Sequence, residues 1–121
     1  MPVYPCPCCG RSDVGELPGS YAICEVCDWE DCAVQLSYPA MGGGPNGRSL
    51  MEEQQIFAKR NSSLPLVDPG WRPLDPNSDV YLDWDSEEDH KLLHTHWAEG
   101  ACQHLYYWRE DYWLRALRNP S

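Results

Sequence analysis

Six of the chain's seven cysteines fall within its first 32 residues, and four of them have the spacing of a metal-binding set. Cys6-Pro7-Cys8-Cys9-Gly10 and Cys24-Glu25-Val26-Cys27-Asp28 are two C-x2-C steps with 14 residues between them. Two intervening residues let one tight turn aim both sulfurs at a single ion about 2.3 Å away. Pro7 fixes φ within the first turn, and Gly10 permits the left-handed residue after it. Two such knuckles make a closed tetrahedral S4 site with no position open to water, so the expected role is structural and not hydrolytic. One zinc ion on Cys6, Cys9, Cys24 and Cys27 is expected, with iron as the alternative because rubredoxin-type sites share these ligands. Disulfides are disfavoured: seven cysteines cannot all pair within one chain. A redox C-x-x-C is disfavoured too, because no thioredoxin-like βαβ pattern surrounds it. Cys8, between two ligands, should point away from the ion or donate weakly to its surroundings, and Cys32 should pack.

Further candidates lie in the second half. His90, His94, His96 and His104 stand near Cys102. His90 and His94 share a helical face, yet no H-E-x-x-H is present, and Cys102-x-His104 does not place both side chains on one helical face. An enzyme using His90, His94, His96 or Cys102 is therefore the weakest reading, and no catalytic residue is expected. The acidic run Asp79, Asp83, Asp85, Glu87, Glu88 and Asp89 is either a solvated helix start or a face that steers a basic partner. The C-terminal aromatics Tyr106, Tyr107, Trp108, Tyr112 and Trp113 exceed what one helical stripe can bury. Asp83, Asp85, Glu87, Glu88, Trp108 and Tyr112 are the residues expected to meet a partner.

These side chains need elements to position them. Leu17-Pro18-Gly19-Ser20 is a turn signal between the knuckles, and Tyr21-Ala22-Ile23 reads as a short strand, so a small hairpin with a knuckle at each end is expected. Ala33–Leu36 reads as briefly extended. Met41–Gly47, with four glycines and a proline, cannot be regular structure. Ser49 with Glu52 is a capping box that opens a helix over about 49–60, with Leu50, Ile56 and Phe57 as its apolar stripe. Residues 61–84 hold Pro65, Pro69, Pro73 and Pro76 with Trp71, Tyr81 and Trp84, and read as a wrap whose rings pack inward. Ser86–Asp89 is a second capping signal. Leu92, Leu93, His96 and Trp97 follow at helical spacing. Gly100 can break this helix before Ala101–Leu117 continues it.

The net charge is −10. Residues 76–100 alone carry seven acids against one base. Phosphate backbones would be repelled, so nucleic acid is not expected, whereas a basic protein partner suits the charge. No run approaches a membrane span. Met1–Pro5 shows no apolar leader, so a cytoplasmic protein is expected.

Tyr4–Gly10, Pro18–Asp31, Gln35, Gly43–Gly47 and Ser49–Glu52 together resemble the bacterial cysteine-rich CPCC family over about residues 4–61. The resemblance implies a zinc-ribbon-like module in bacterial cytosolic proteins. It also implies proximity to polymorphic toxin systems, and hence an immunity role. The family commonly has an acid where Cys32 stands, which implies that Cys32 is not a required ligand.

The resulting expectation is a small α+β protein: a zinc-ribbon hairpin, a capped helix, a Pro/aromatic-rich wrap and a C-terminal helical segment. Residues 1–61 form the cysteine module and 62–121 the remainder, packed together as one domain. The expected function is non-catalytic protein binding, as an immunity protein that neutralises a toxin. The alternative is a regulatory or assembly module docking through its zinc ribbon, near Trp29 and Glu30.

Overall fold

The computed structural model describes residues 4–11, 17–61, 70–98 and 102–118. Four α-helices occur among them: α1 (Ala33–Ser37), α2 (Leu50–Asn61), α3 (Glu87–Ala98) and α4 (Trp113–Arg118), with a 3-10 turn at Cys102–Leu105. Pro65, Pro69, Gly100 and Ala101 lie outside the described residues.

Among the described residues almost no strand accompanies the helices. The expected hairpin is reduced to one antiparallel bridge, Ile23 with Glu30. Around it Tyr21 N donates to Asp31 O, Asp31 N to Ala22 O and Cys24 N to Trp29 O, each at 2.9 Å. Left-handed residues bound the pairing, Tyr21 at φ 65° and Asp28 at φ 64°. Extended backbone cannot run through either, so no ladder grows.

The stretch expected to be extended, Ala33–Leu36, is the helix α1. One turn of helix sends Gln35 and Leu36 inward together, and both are fully buried. The Gln35 amide nitrogen donates to the Met41, Asn46 and Arg48 carbonyls at 3.1–3.2 Å. Its oxygen accepts from Asn46 N and Nδ2. Asn46 in turn brackets Glu30, donating Nδ2 to Glu30 O and accepting Glu30 N at Oδ1, both 2.8 Å. The irregular glycine-rich loop is thereby ordered without secondary structure, its backbone groups satisfied by two amide side chains.

The capping box of α2 forms as its sequence requires. Glu52 N donates to Ser49 Oγ at 3.2 Å, and Ser49 N donates back to Glu52 Oε1 at 3.1 Å. Leu50 and Phe57 are buried; Ile56 is only partly so. At α3 the box is half made. Asp89 N donates to Ser86 Oγ at 3.2 Å, but the Asp89 carboxylate accepts Asp83 N at 2.7 Å.

The wrap follows its expectation over the described part except at Trp84, whose ring, expected to pack inward, is 48% exposed and is covered along its edges by Tyr38 and His90. Leu74 and Leu82 are buried, with Trp71, Val80 and Tyr81 packed against the core. A bidentate pair, Arg72 to Asp79 at 2.6 Å on both oxygens, closes its turn.

The expected continuous C-terminal helix is not formed. Helix ends at Leu105 and resumes only at Trp113. A single helix cannot bury five clustered aromatic rings on one stripe. By leaving the helix, the chain buries four successive residues, Leu105, Tyr106, Tyr107 and Trp108, and then Tyr112. The knuckles, α1, α2, the wrap and these aromatics share one hydrophobic core. No helix among the described residues is long and apolar enough to cross a membrane.

Candidate metal centre

The two knuckles have the same backbone. Gly10 N donates to Cys6 O at 2.7 Å and Asp28 N to Cys24 O at 2.9 Å. The residue after each second cysteine is left-handed, Gly10 at φ 65° and Asp28 at φ 64°. Glycine adopts that conformation freely, and aspartate is among the few other residues that tolerate it.

This shared turn brings the four expected ligands together. The sulfurs of Cys6, Cys9, Cys24 and Cys27 all lie within 4.8 Å of one another. Cys6 Sγ to Cys27 Sγ is 3.5 Å and Cys9 Sγ to Cys24 Sγ is 3.7 Å. A tetrahedral ion with ligands at 2.3 Å has sulfur–sulfur edges of ~3.8 Å, whereas a disulfide needs ~2.0 Å. The spacing is that of ligands around an ion, and all four cysteines are free thiols.

Electrostatics point to the same need. Four sulfurs this close cannot all ionise without a cation. Hydrogen bonds from Cys27, Cys6 and Cys9 hold the Cys24 thiol far below its ordinary range. The hydrogen bond to Cys24 is also the main reason that Cys6, Cys9 and Cys27 are pushed up. A divalent cation replaces this sharing of protons with four thiolate bonds. Val26 N donates to Cys24 Sγ at 3.3 Å, the kind of bond that supports a thiolate.

Cys8 and Cys32 are buried outside the cluster, at 1% and 4% exposure. Cys8 acts on Cys27, raising its pKa as Cys24 does. The Cys102 side chain is not among those described.

A clamp on the first knuckle has no sequence motif to announce it. Pro5 and Pro7 carry no N–H, yet their carbonyls still need donors. Tyr106 Oη donates to Pro5 O at 3.0 Å. Gln54 Nε2 and Trp71 Nε1 donate to Pro7 O at 2.9 and 3.0 Å. Gln54 Nε2 also donates to Tyr107 Oη at 2.8 Å, and Tyr107 Oη donates to Arg72 O at 2.6 Å. The amide oxygen of Gln54 accepts Leu74 N at 2.8 Å. The metal loop is thus tied to α2, the wrap and the C-terminal aromatics. Nothing in the sequence marks Gln54 out, because its burial depends on the packed chain.

The other candidates are dispersed. His90 is held at both nitrogens: Trp84 O can only accept, so Nε2 donates to it at 2.5 Å, and Nδ1 shares a 2.7 Å hydrogen bond with the Tyr38 hydroxyl. His96 is buried and stacked on Trp113 at 4.3 Å. His94 is exposed, and His104 pairs with Asp111 at 2.8 Å. Trp108 and Tyr112, expected at a partner surface, are core residues at 8% and 3% exposure. They stack or pack on neighbouring aromatics and basic side chains instead, Trp108 on Tyr106 and Tyr112 under Arg115. Trp29 is buried as well. Within the acidic run, Asp79 is consumed by Arg72, and Asp89 is buried at the start of α3. Asp83, Asp85, Glu87 and Glu88 stay exposed.

The sequence profile of the family described as cysteine-rich CPCC matches residues 4–65, just over half the chain, with both knuckles inside the match. No curated protein matches the chain.

Proposed function

Because the chain belongs to the cysteine-rich CPCC family and its four metal-spaced cysteines converge in one cluster, we propose that it is a zinc-stapled, non-catalytic protein whose work is binding another protein. The carrying observation is the closed S4 geometry, which leaves no ligand position for substrate or water. Zinc is preferred to iron on the base rate of closed S4 sites. The engagement of His90 at both nitrogens and the burial of His96 also favour a role without catalysis.

The partner best suited to the exposed carboxylates of Asp83, Asp85, Glu87 and Glu88 is a basic protein in the cytoplasm. A toxin effector domain is such a partner, and the chain would then serve as its immunity protein. Elemental analysis of protein purified without chelator should return about one zinc per chain, and chelation should lower the thermal midpoint. Less than about half an equivalent of any metal would remove the site. Stoichiometric capture of a basic toxin domain should be lost when the four acids are reversed to lysine. Unchanged capture would remove the acidic face.

A second reading, docking through the cysteine module, has its own support. Trp29 cannot serve, but Tyr21, Ile23 and Val26 are exposed at 64%, 60% and 39% beside the second knuckle. Binding that depends on Ile23 and Val26, and not on the four acids, would favour it.

A further inference from the structure

Three depressions adjoin one another, one beside the loop after α1 and two where α1 and α3 residues share their walls. The first, about 540 Å3, opens between the loop after α1 and the Tyr81–Asp85 segment, with Tyr38, Met41, Tyr81 and Trp84 among its walls. The second, about 200 Å3, lies where Val34 and Tyr38 face Trp84, His90 and Trp97. The third, about 360 Å3, carries on from Val34 and Trp97 to Pro18 and Tyr21. Neighbouring depressions share walls, Tyr38 and Trp84 between the first two, Val34 and Trp97 between the last two. They form one open aromatic trough. The α3 flank from His90 to Trp97 spans about 10 Å, the length of roughly three residues of extended chain.

The charge along this trough is one-sided. Asp83 and Asp85 line its widest part, Glu87 and Glu88 are exposed on the adjoining turn, and no lysine or arginine lines it among the described residues. Trp84 is 48% exposed, yet its ring is held by near-perpendicular contacts to Tyr38 at 5.1 Å and His90 at 4.9 Å. An indole fixed in place beside two carboxylates is a seat for a cation. At the far end Tyr21 is 64% exposed, a large ring left to solvent.

We propose that this trough is the docking groove for an extended, basic segment of the partner protein, with an arginine or lysine side chain seated on Trp84 between Asp83 and Asp85. The proposal rests on the protein-binding reading above and names its surface. Nucleic acid could stack on the same rings, but it would meet the carboxylates with its phosphates and find no lysine or arginine among the described residues that line the trough.

The test is calorimetric titration of the zinc-loaded full chain with the peptide acetyl-Leu-Arg-Leu-Arg-Leu-amide and with its citrulline counterpart, which keeps shape and loses charge. The arginine peptide should bind at least about tenfold more tightly than the citrulline one. Trp84→Ala and Asp85→Asn should each weaken it about fivefold or more. The double variant Glu25→Gln/Glu110→Gln removes two exposed acids that do not line the trough, and should change affinity by less than about twofold. Asp85→Asn disturbs no internal side-chain contact, so its result stands even if Trp84→Ala lowers the thermal midpoint. An equal loss in the Glu25/Glu110 variant would reduce the effect to net charge and overturn the proposal. Failure of the arginine peptide to bind would also overturn it. If a basic partner is captured and lost on Glu87→Lys/Glu88→Lys but not on Asp85→Asn, the trough fails while the protein-binding reading stands. If no basic partner binds any form, both fail.

Discussion

Gly10 carries two constraints in one residue. Its φ of 65° closes the first knuckle, and a Cβ there would sit 2.4 Å from the Trp71 ring. At the same position of the second knuckle Asp28 meets only the first constraint, since its side chain is exposed. Gly10→Ala should therefore cost more than the ~1–2 kcal/mol of a left-handed residue alone. Trp71→Ala should recover part of that loss by opening space, at the expense of the indole bond to Pro7 O. A double-mutant cycle in urea tests this: additive losses would show that the ring does not confine Gly10. Asp28→Gly should be neutral or mildly stabilising, because glycine adopts the left-handed turn without strain.

Among the elements, α2 links the metal loop to the rest of the chain. Its start is set locally by Ser49 and Glu52, while its inward face contributes Gln54 to the clamp on Pro7. Ser49→Ala should cost about 0.5–2 kcal/mol, read from denaturant midpoints, with the metal content unchanged. The carboxyl of Glu52 is held below its usual range by the Ser49 N–H and hydroxyl. The box is thus complete above the unfolded pKa of Glu and weakens as pH falls through the lower folded value. A Ser49→Ala penalty that shrinks in acid would confirm that the box, and not Ser49 packing, is its source. The irregular elements obey the same physics. The Met41–Gly47 loop and the Tyr106–Tyr112 segment have no periodic hydrogen bonds of their own and are ordered by side chains such as Gln35, Asn46 and Arg115, which donates to the Tyr107 and Arg109 carbonyls.

For the molecule as a whole, Tyr106 and Tyr107 join the two halves. Burial is the main cause that pushes both phenols well above their usual value. Each is needed as a donor, to Pro5 O and Arg72 O. A pKa raised on folding favours the neutral form. The stability it brings is complete below the unfolded value near pH 10 and declines above it, by up to about 1.4 kcal/mol per pH unit for each tyrosine. Thermal midpoints should fall on the alkaline side of pH 10, and Tyr106→Phe/Tyr107→Phe, though less stable at neutral pH, should fall less steeply. An unchanged alkaline slope would show that these phenols are not desolvated as placed.

Much of the site could be read before the fold was known, because C-x2-C chemistry is local. Two residues between sulfurs, a glycine after the first pair and an aspartate after the second specify each knuckle almost alone. The capping box of α2 is equally local. What sequence could not supply was anything that depends on distant neighbours. The Tyr21–Ile23 strand and the extended Ala33–Leu36 were propensity readings, overridden by left-handed residues and by the burial of Gln35. The C-terminal helix was a periodicity reading, overridden because clustered aromatics bury better when the chain departs from the helix. Trp108 and Tyr112 looked like surface for the same reason. Sequence by itself determined which four sulfurs converge. Tertiary structure decided which carboxylates remain free, which rings line the trough and which side chains hold the knuckles in place, because burial is a property of the whole packed chain.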